Sequence, residues 1–307
     1  MKLSETGLKK ITQAIGRENV RQNEPMKEHT TMKVGGPAAW FFTPQTEEEI
    51  AVVIKCLKEE NVPYYILGNG SNIICKDAGY DGAIVCLLEN YSGYKIIKEE
   101  EGSTEVVVKA GTKNKDFSDA MIRCGLAGFE FASGIPGSIG GATAMNAGAY
   151  DGELRQIVKE VKLLDPDCRI VTVPNEKMDF GYRHSLVSSG SYVVLETTFL
   201  LKKDSIEKIQ ERVDDLTRRR EEKQPLEYPS CGSTFKRPEG YFAGKLISDA
   251  GLKGFQLGGA QVSEKHAGFV INRENATAQD ILDLIEHIKK TVKESQGVLL
   301  ECEVKML

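Results

Sequence analysis

Several common catalytic signatures are missing from this 307-residue sequence. No Gly-x-x-x-x-Gly-Lys-Ser/Thr loop occurs, which excludes the phosphate cradle of the ordinary nucleoside triphosphatases. Neither a Gly-x-Ser-x-Gly elbow nor a His-Glu-x-x-His pair is present, so a serine hydrolase of that kind and a zinc protease are both disfavoured. The seven cysteines, Cys56, Cys75, Cys86, Cys124, Cys168, Cys231 and Cys302, are odd in number and form no Cys-x-x-Cys pair. That pattern gives no metal signature, fits a reducing compartment and marks most of them as small core residues. Basic charge is not in excess: 40 Lys and Arg against 45 Asp and Glu leave a net charge of −5, which argues against general binding to nucleic acid. Residues 1–20 hold no uninterrupted apolar run, so neither a signal peptide nor a membrane span is expected there, and a cytoplasmic location is.

Glycine is what the chain has, in two runs: Gly68-Asn69-Gly70-Ser71-Asn72 and Gly134-Ile135-Pro136-Gly137-Ser138-Ile139-Gly140-Gly141-Ala142. Glycines let the backbone approach an anion closely, so consecutive N–H groups can converge on a diphosphate. The first run follows the strand-like Tyr64 to Leu67 directly, and the pair of runs points to a nucleotide cofactor with a geometry suited to FAD. A lone Gly-x-Gly after a strand is also an ordinary tight turn. Ile73 stands where the third glycine of the dinucleotide fingerprint would fall, which disfavours a doubly wound fold.

Periodicity alternates between helix and strand. Thr46 with Glu49 three residues on predicts a capped helix running to about Glu60, and a second helix is expected from about Lys115 to Cys124, stopping at Gly125. Strands are expected at Val62–Leu67, Ala83–Leu88, Glu105–Ala110, Val158–Leu164, Ile170–Val173 and Tyr192–Leu201, making a mixed sheet. Ile206, Ile209, Val213 and Leu216 carry helical spacing up to Pro225, and this helix sets the expected boundary between residues 1–204, in lobes of about 1–79 and 80–204, and residues 205–307. A last helix presents Ile281, Leu284, Ile285, Ile288 and Val292 on one face, and Val298–Val304 reads as a closing strand that packs back toward the cofactor.

Thr30-Thr31-Met32-Lys33-Val34-Gly35-Gly36, the two glycine runs, Asn146-Ala147-Gly148-Ala149 and Gly181-Tyr182-Arg183-His184-Ser185 together resemble the UDP-N-acetylenolpyruvoylglucosamine reductases. Downstream, Pro229 to Pro238, Ala243-Gly244-Lys245-Leu246-Ile247, His266-Ala267-Gly268-Phe269 and Leu300 to Val304 are similar to that family's substrate-domain motifs, in the family's order. The resemblance covers about Pro25 to Val304 and is closest to the shorter subgroup that lacks an inserted tyrosine-bearing loop.

The resemblance implies an α+β protein: a vanillyl-alcohol-oxidase-like (PCMH-type) FAD-binding fold of two lobes plus a C-terminal α+β substrate-binding domain. It implies reduction of FAD by NADPH, then reduction of the enolpyruvyl ether of UDP-N-acetylglucosamine to UDP-N-acetylmuramate for peptidoglycan synthesis. Ser233 is then the proton donor, Arg183 the group that stabilises the developing enolate, and Glu303 an acid that polarises the substrate carboxylate. Arginine suits the enolate because its planar fork carries a charge that does not titrate away. For FAD the implied contacts are Gly68, Asn69, Gly70, Ser71, Asn72, Gly134, Pro136, Gly137, Ser138, Gly141 and Ala142, with Asn146 and Gly148 near the flavin ring. For the substrate they are Tyr182, Lys236, Lys245 and Lys265, with Lys236 also a candidate to polarise Ser233, and Tyr228 or Tyr241 as replacements for the missing loop tyrosine. Cys231 is a rival acid, since a thiol gives up its proton more readily than a hydroxyl. The ligand expected is a small molecule, with no nucleic acid or membrane partner, and the chain is expected to act as a monomer. Two other classes compete: a related FAD-dependent oxidase or dehydrogenase of a sugar or alcohol, and a flavin-free protein that binds a UDP-sugar.

Overall fold

The computed structural model describes residues 3–100 and 102–307. Among the described residues seven α-helices form: α1 (Glu5–Ile15), α2 (Glu47–Glu59), α3 (Asn114–Arg123), α4 (Ile139–Ala144), α5 (Ile206–Lys223), α6 (Ala243–Asp249) and α7 (Ala278–Gln296). Among the described residues no helix is long and apolar enough to cross a membrane. The chain divides into two compact units, and neither is continuous in sequence. The first takes the chain up to Gln22, then Trp40–Asn69 and Gly82–Arg219; the second takes Asn23–Ala39, Gly70–Asp81 and Arg220–Leu307.

A four-stranded sheet has the order Val20–Pro25, Pro37–Phe42, Tyr80–Cys86, Tyr64–Leu67, and its last two strands run parallel with Tyr64 opposite Ala83. The first unit also holds a larger antiparallel sheet in the order Ile170–Pro174, Val158–Leu164, Val193–Lys203, Ser103–Lys109, Tyr94–Glu100. Its strand Ser103–Lys109 alternates half-buried and buried residues, the two-residue period of a sheet with one packed face. Beneath it Phe117, Phe129 and Phe199 meet as a fully buried triad, with centroids 4.8 Å apart for Phe117–Phe129 and 5.4 Å for Phe117–Phe199.

The second unit packs α7 over a three-stranded sheet of Gln256–Leu257, Ala260–Val262 and Val270–Asn272. All five apolar residues read as one face of the last helix are buried in this core. Val298–Val304, expected as the closing strand, is instead extended chain held by one bridge between Phe235 and Cys302. Ladder pairing comes directly after it, where Lys305–Met306 runs parallel to Ile73–Ile74. Leu299 stays 69% exposed, so the apolar run that suggested a strand has no sheet face to cover.

Candidate active site

In the first unit, strand Tyr64–Leu67 delivers Gly68 and Asn69 against the second glycine run. A Cβ on Gly68 would lie 2.2 Å from Ser138 Oγ, so only glycine permits this approach. Ser138 caps α4, its hydroxyl accepting from Gly141 N at 3.4 Å. Gly70, in the second unit, has φ +60°, and a Cβ there would strike His29 O at 1.9 Å. The backbone N–H groups of Gly68, Asn69, Gly70, Ser71, Asn72, Gly134, Gly137 and Ser138 donate to no protein group among the described residues. In the first unit the unspent amides of Gly68, Asn69, Gly134, Gly137 and Ser138 suit a diphosphate, and the residues present there therefore fit FAD.

Asn146, expected near the flavin ring, has its side chain held by protein. Its side chain is 1% exposed and fully engaged: Nδ2 donates to Glu153 Oε2 at 2.8 Å and to Gly181 O at 3.0 Å, while Oδ1 accepts from Arg155 N at 2.9 Å. It is a strut that ties the end of α4 to the turn carrying Arg183. That turn is closed by reciprocal bonds between Gly181 and His184, 3.1 and 3.2 Å, with Tyr182 and Arg183 at its tip. Arg183 holds φ +53°, a left-handed conformation costly for a long side chain, and such strain gathers at functional sites. Its guanidinium lies 5.3 Å from the Tyr182 ring centroid, and Nη1 is 3.5 Å from Gly148 O.

The second unit gathers Ser233, Glu303 and the end of the first glycine run. Gly232 adopts φ +71° and turns the chain so that Ser233 is exposed between buried Cys231 and Thr234. The Ser233 hydroxyl makes no hydrogen bond to protein among the described residues. Glu303 N donates to Thr234 O at 2.9 Å, placing the half-buried Glu303 on the segment beside the serine. Asn72 Nδ2 donates to Glu303 O at 3.2 Å, so Asn72 spends its amide on the carboxylate's own backbone. Thr31 completes the arrangement: its N–H donates to Gly70 O at 3.1 Å and its hydroxyl to Ser230 O at 2.6 Å. Nothing in the motif around Thr31 gives it a task, because only the fold joins the glycine loop to the serine segment through it.

The remaining cations are paired at the surface. Lys236 Nζ meets Glu301 at 3.1 Å, Lys245 Nζ meets Asp249 at 2.8 Å, and Lys265 Nζ donates to Glu221 O. Exposed pairs of this kind are weak and exchange readily for a bound anion. The Arg273 guanidinium covers the Tyr228 ring at 4.6 Å, whereas Tyr241 is 49% exposed. Cys231 is 5% exposed and donates to Ile73 O at 3.2 Å, and burial pushes its thiol up to about 12. A thiol so enclosed, with its proton engaged by Ile73 O, is out of reach of a substrate, which counts against it as the rival acid. Burial also pushes the His266 imidazole below its usual range, which favours the neutral ring.

A family model described as an FAD binding domain matches residues 38–174, and one described as the UDP-N-acetylenolpyruvoylglucosamine reductase C-terminal domain matches residues 224–307. A UDP-N-acetylenolpyruvoylglucosamine reductase of Clostridium perfringens is 51% identical over 293 residues, covering 94% of this chain and 93% of the relative. The crystal structure of the corresponding reductase from Thermus caldophilus superposes with a TM-score of 0.80 at 33% identity, covering 94% of this chain and 99% of that one. A glucose oxidase, a variant of Phl p 4, shares the fold alone, with a TM-score of 0.50 at 14% identity over 66% of this chain and 45% of its own. The architecture is α+β, a vanillyl-alcohol-oxidase-like FAD-binding fold joined to a C-terminal substrate-binding domain. Two glycine runs with unspent amides, followed by a C-terminal domain that pairs the segment of an exposed serine with that of Glu303, thus accord with the matches along almost the whole length, and the chain belongs to the UDP-N-acetylenolpyruvoylglucosamine reductase family.

Proposed function

We propose that Ser233, Arg183 and Glu303 divide the proton and charge chemistry of this chain's reaction among them. The chain is an FAD-containing, NADPH-dependent oxidoreductase that reduces UDP-N-acetylglucosamine enolpyruvate to UDP-N-acetylmuramate, a step of peptidoglycan precursor synthesis. Bound FAD would supply the redox chemistry, hydride transfer from NADPH to the terminal carbon of the enolpyruvyl double bond. Its diphosphate would be held by main-chain amides of Gly68, Asn69, Gly70, Ser71, Asn72, Gly134, Gly137 and Ser138. Residues 1–204 serve as the FAD-binding region and 205–307 as the substrate-binding region.

Hydride addition at the terminal carbon leaves negative charge on the carbon alpha to the carboxylate and on the carboxylate itself. Arg183 offsets that charge with a fork that pairs both oxygens. Glu303, as an acid, donates a hydrogen bond to the same carboxylate. The Ser233 hydroxyl then gives its proton to the alpha carbon, which completes the lactyl ether, and solvent restores the hydroxyl. An alcohol is a weak acid, but an enolate is basic enough to take its proton when the hydroxyl is held in line. Lys236, Lys245, Lys265 and Tyr182 bind the substrate, the lysines by exchanging their surface carboxylate or carbonyl partners for phosphate.

The observation that carries this assignment is the pairing of Glu303 N with Thr234 O at 2.9 Å beside a Ser233 hydroxyl with no protein partner among the described residues. Stopped-flow kinetics of Ser233→Ala separates the two half-reactions. Reduction of the flavin by NADPH should proceed as in the parent, while reoxidation by the enolpyruvyl sugar should slow by about 10²- to 10⁴-fold, the usual weight of a general acid. Equal slowing of both halves would remove Ser233 from the proton-donor role. We place the enzyme in the cytoplasm as a monomer; its seven free cysteines accord with a reducing compartment, and sedimentation equilibrium tests the monomer.

A further inference from the structure

A wholly buried amide underlies the second glycine run. Asn114 opens α3 and is 0% exposed. Its backbone N–H donates to Gly137 O at 3.0 Å, and Thr112 O accepts from Ile139 N at 2.8 Å, so residues 112–114 lie antiparallel to 137–139 around a Lys113–Ser138 bridge. The side chain extends this clip, with Nδ2 donating to Ile135 O at 3.2 Å. Oδ1, at the other end of the amide, is buried and accepts no hydrogen bond from protein among the described residues. Exchanging oxygen and nitrogen would set two acceptors against each other at Ile135, so the amide has one workable orientation.

Peptide planarity converts these contacts into a direction. The C=O and N–H of a trans peptide point opposite ways. Holding Gly137 O toward Asn114 therefore sends Ser138 N–H away from it, and fixing Ile135 O anchors the Ile135–Pro136 peptide, one residue before the peptide that carries Gly137 N–H. Neither of these N–H groups is spent on protein among the described residues. A buried amide with an unsatisfied oxygen works against folding, and an aliphatic side chain of similar size would occupy the place without that penalty. A residue that costs stability beside a binding loop is the signature of a site organised for its ligand.

We propose that Asn114 is a positioning residue for FAD, clamping the Ile135–Ile139 backbone so that the Gly137 and Ser138 amides are preset toward the diphosphate. This rests on the reading of the two glycine runs as the diphosphate cradle. The test compares apoproteins of the parent, Asn114→Leu and Gly68→Ala by FAD titration, following quenching of flavin fluorescence, and by thermal melting without FAD. Asn114→Leu should bind FAD at least tenfold more weakly and melt at the parent temperature or above. Unchanged affinity in Asn114→Leu with weakened binding in Gly68→Ala overturns the Asn114 assignment alone. Unchanged affinity in both variants overturns the cradle reading and the assignment with it. Weaker binding accompanied by a lowered apoprotein midpoint makes Asn114 structural and also overturns the proposal. Should Asn114→Leu fail to fold, Asn114→Ala is read by the same two measurements.

Discussion

Cys231 and Ser233 stand two residues apart, and burial separates their chemistry. The thiol is enclosed and donates to Ile73 O, while the hydroxyl is exposed. Cys231→Ser should therefore keep flavin reoxidation by substrate within a few-fold of the parent, and a loss of 10²-fold or more would make the thiol the acid after all. Buried thiols also make the stability of the protein depend on alkaline pH. Burial pushes Cys75 and Cys86 up to about 11 and Cys231 up to about 12. A thiol raised on folding contributes stability that is complete below its unfolded value, near 8.5, and is lost as pH rises toward its folded value. Stability should fall by about 1.4 kcal/mol per pH unit for each such thiol between about pH 9 and 11. Urea midpoints taken across that window test the slope, and a Cys86→Ala variant should flatten it by one thiol's share.

At the level of elements, local signals were legible where they are closed within a few residues. Thr46 accepts from Glu49 N at 3.2 Å and α2 begins as expected, although the Glu49 carboxylate accepts from Gln45 N at 2.7 Å instead of returning to Thr46. α3 falls one residue from its expected span, and Gly125 stops it with φ +64°. The start of α7 shows what short-range reading misses. Besides its own Thr277–Asp280 capping box, Asp77 accepts from Ala278 N and Gln279 N, both at 2.9 Å, across some 200 residues of sequence. Asp77→Ala should cost about 1 kcal/mol, the usual worth of a helix cap, read by chemical denaturation. Phe199 belongs to the central strand and the phenylalanine triad, so Phe199→Ala should cost about 3–5 kcal/mol by the same measurement. A loss below 1 kcal/mol would mean that the triad collapses around the gap.

For the whole molecule, the consequence concerns FAD as a stabilising ligand. If its diphosphate binds folded amides and not the unfolded chain, FAD at 100 times its dissociation constant should add about 2.7 kcal/mol to stability. Thermal melts of apoprotein with and without FAD check this, and identical midpoints at saturating FAD would contradict a main-chain cradle that exists only in the fold. The competing oxidase reading shares the FAD-binding region but not the C-terminal domain matched at residues 224–307, which is where Ser233 and Glu303 lie.

The sequence alone determined the cofactor class, the ordered motifs and the amphipathic elements, because glycine runs, caps and apolar periodicity act over a few neighbouring residues. Tertiary structure decided the rest. Only the fold assembles compact units from separated stretches, so that Asn23–Ala39 and Gly70–Asp81 join the C-terminal region. Only burial distinguishes Cys231 from Ser233, and only long-range hydrogen bonds turn Asn146 into a strut and Asn114 into a clamp. The physical reason is common to all of these: desolvation and hydrogen bonds across large sequence separations depend on which surfaces meet in space, and no local pattern of residue types encodes that meeting.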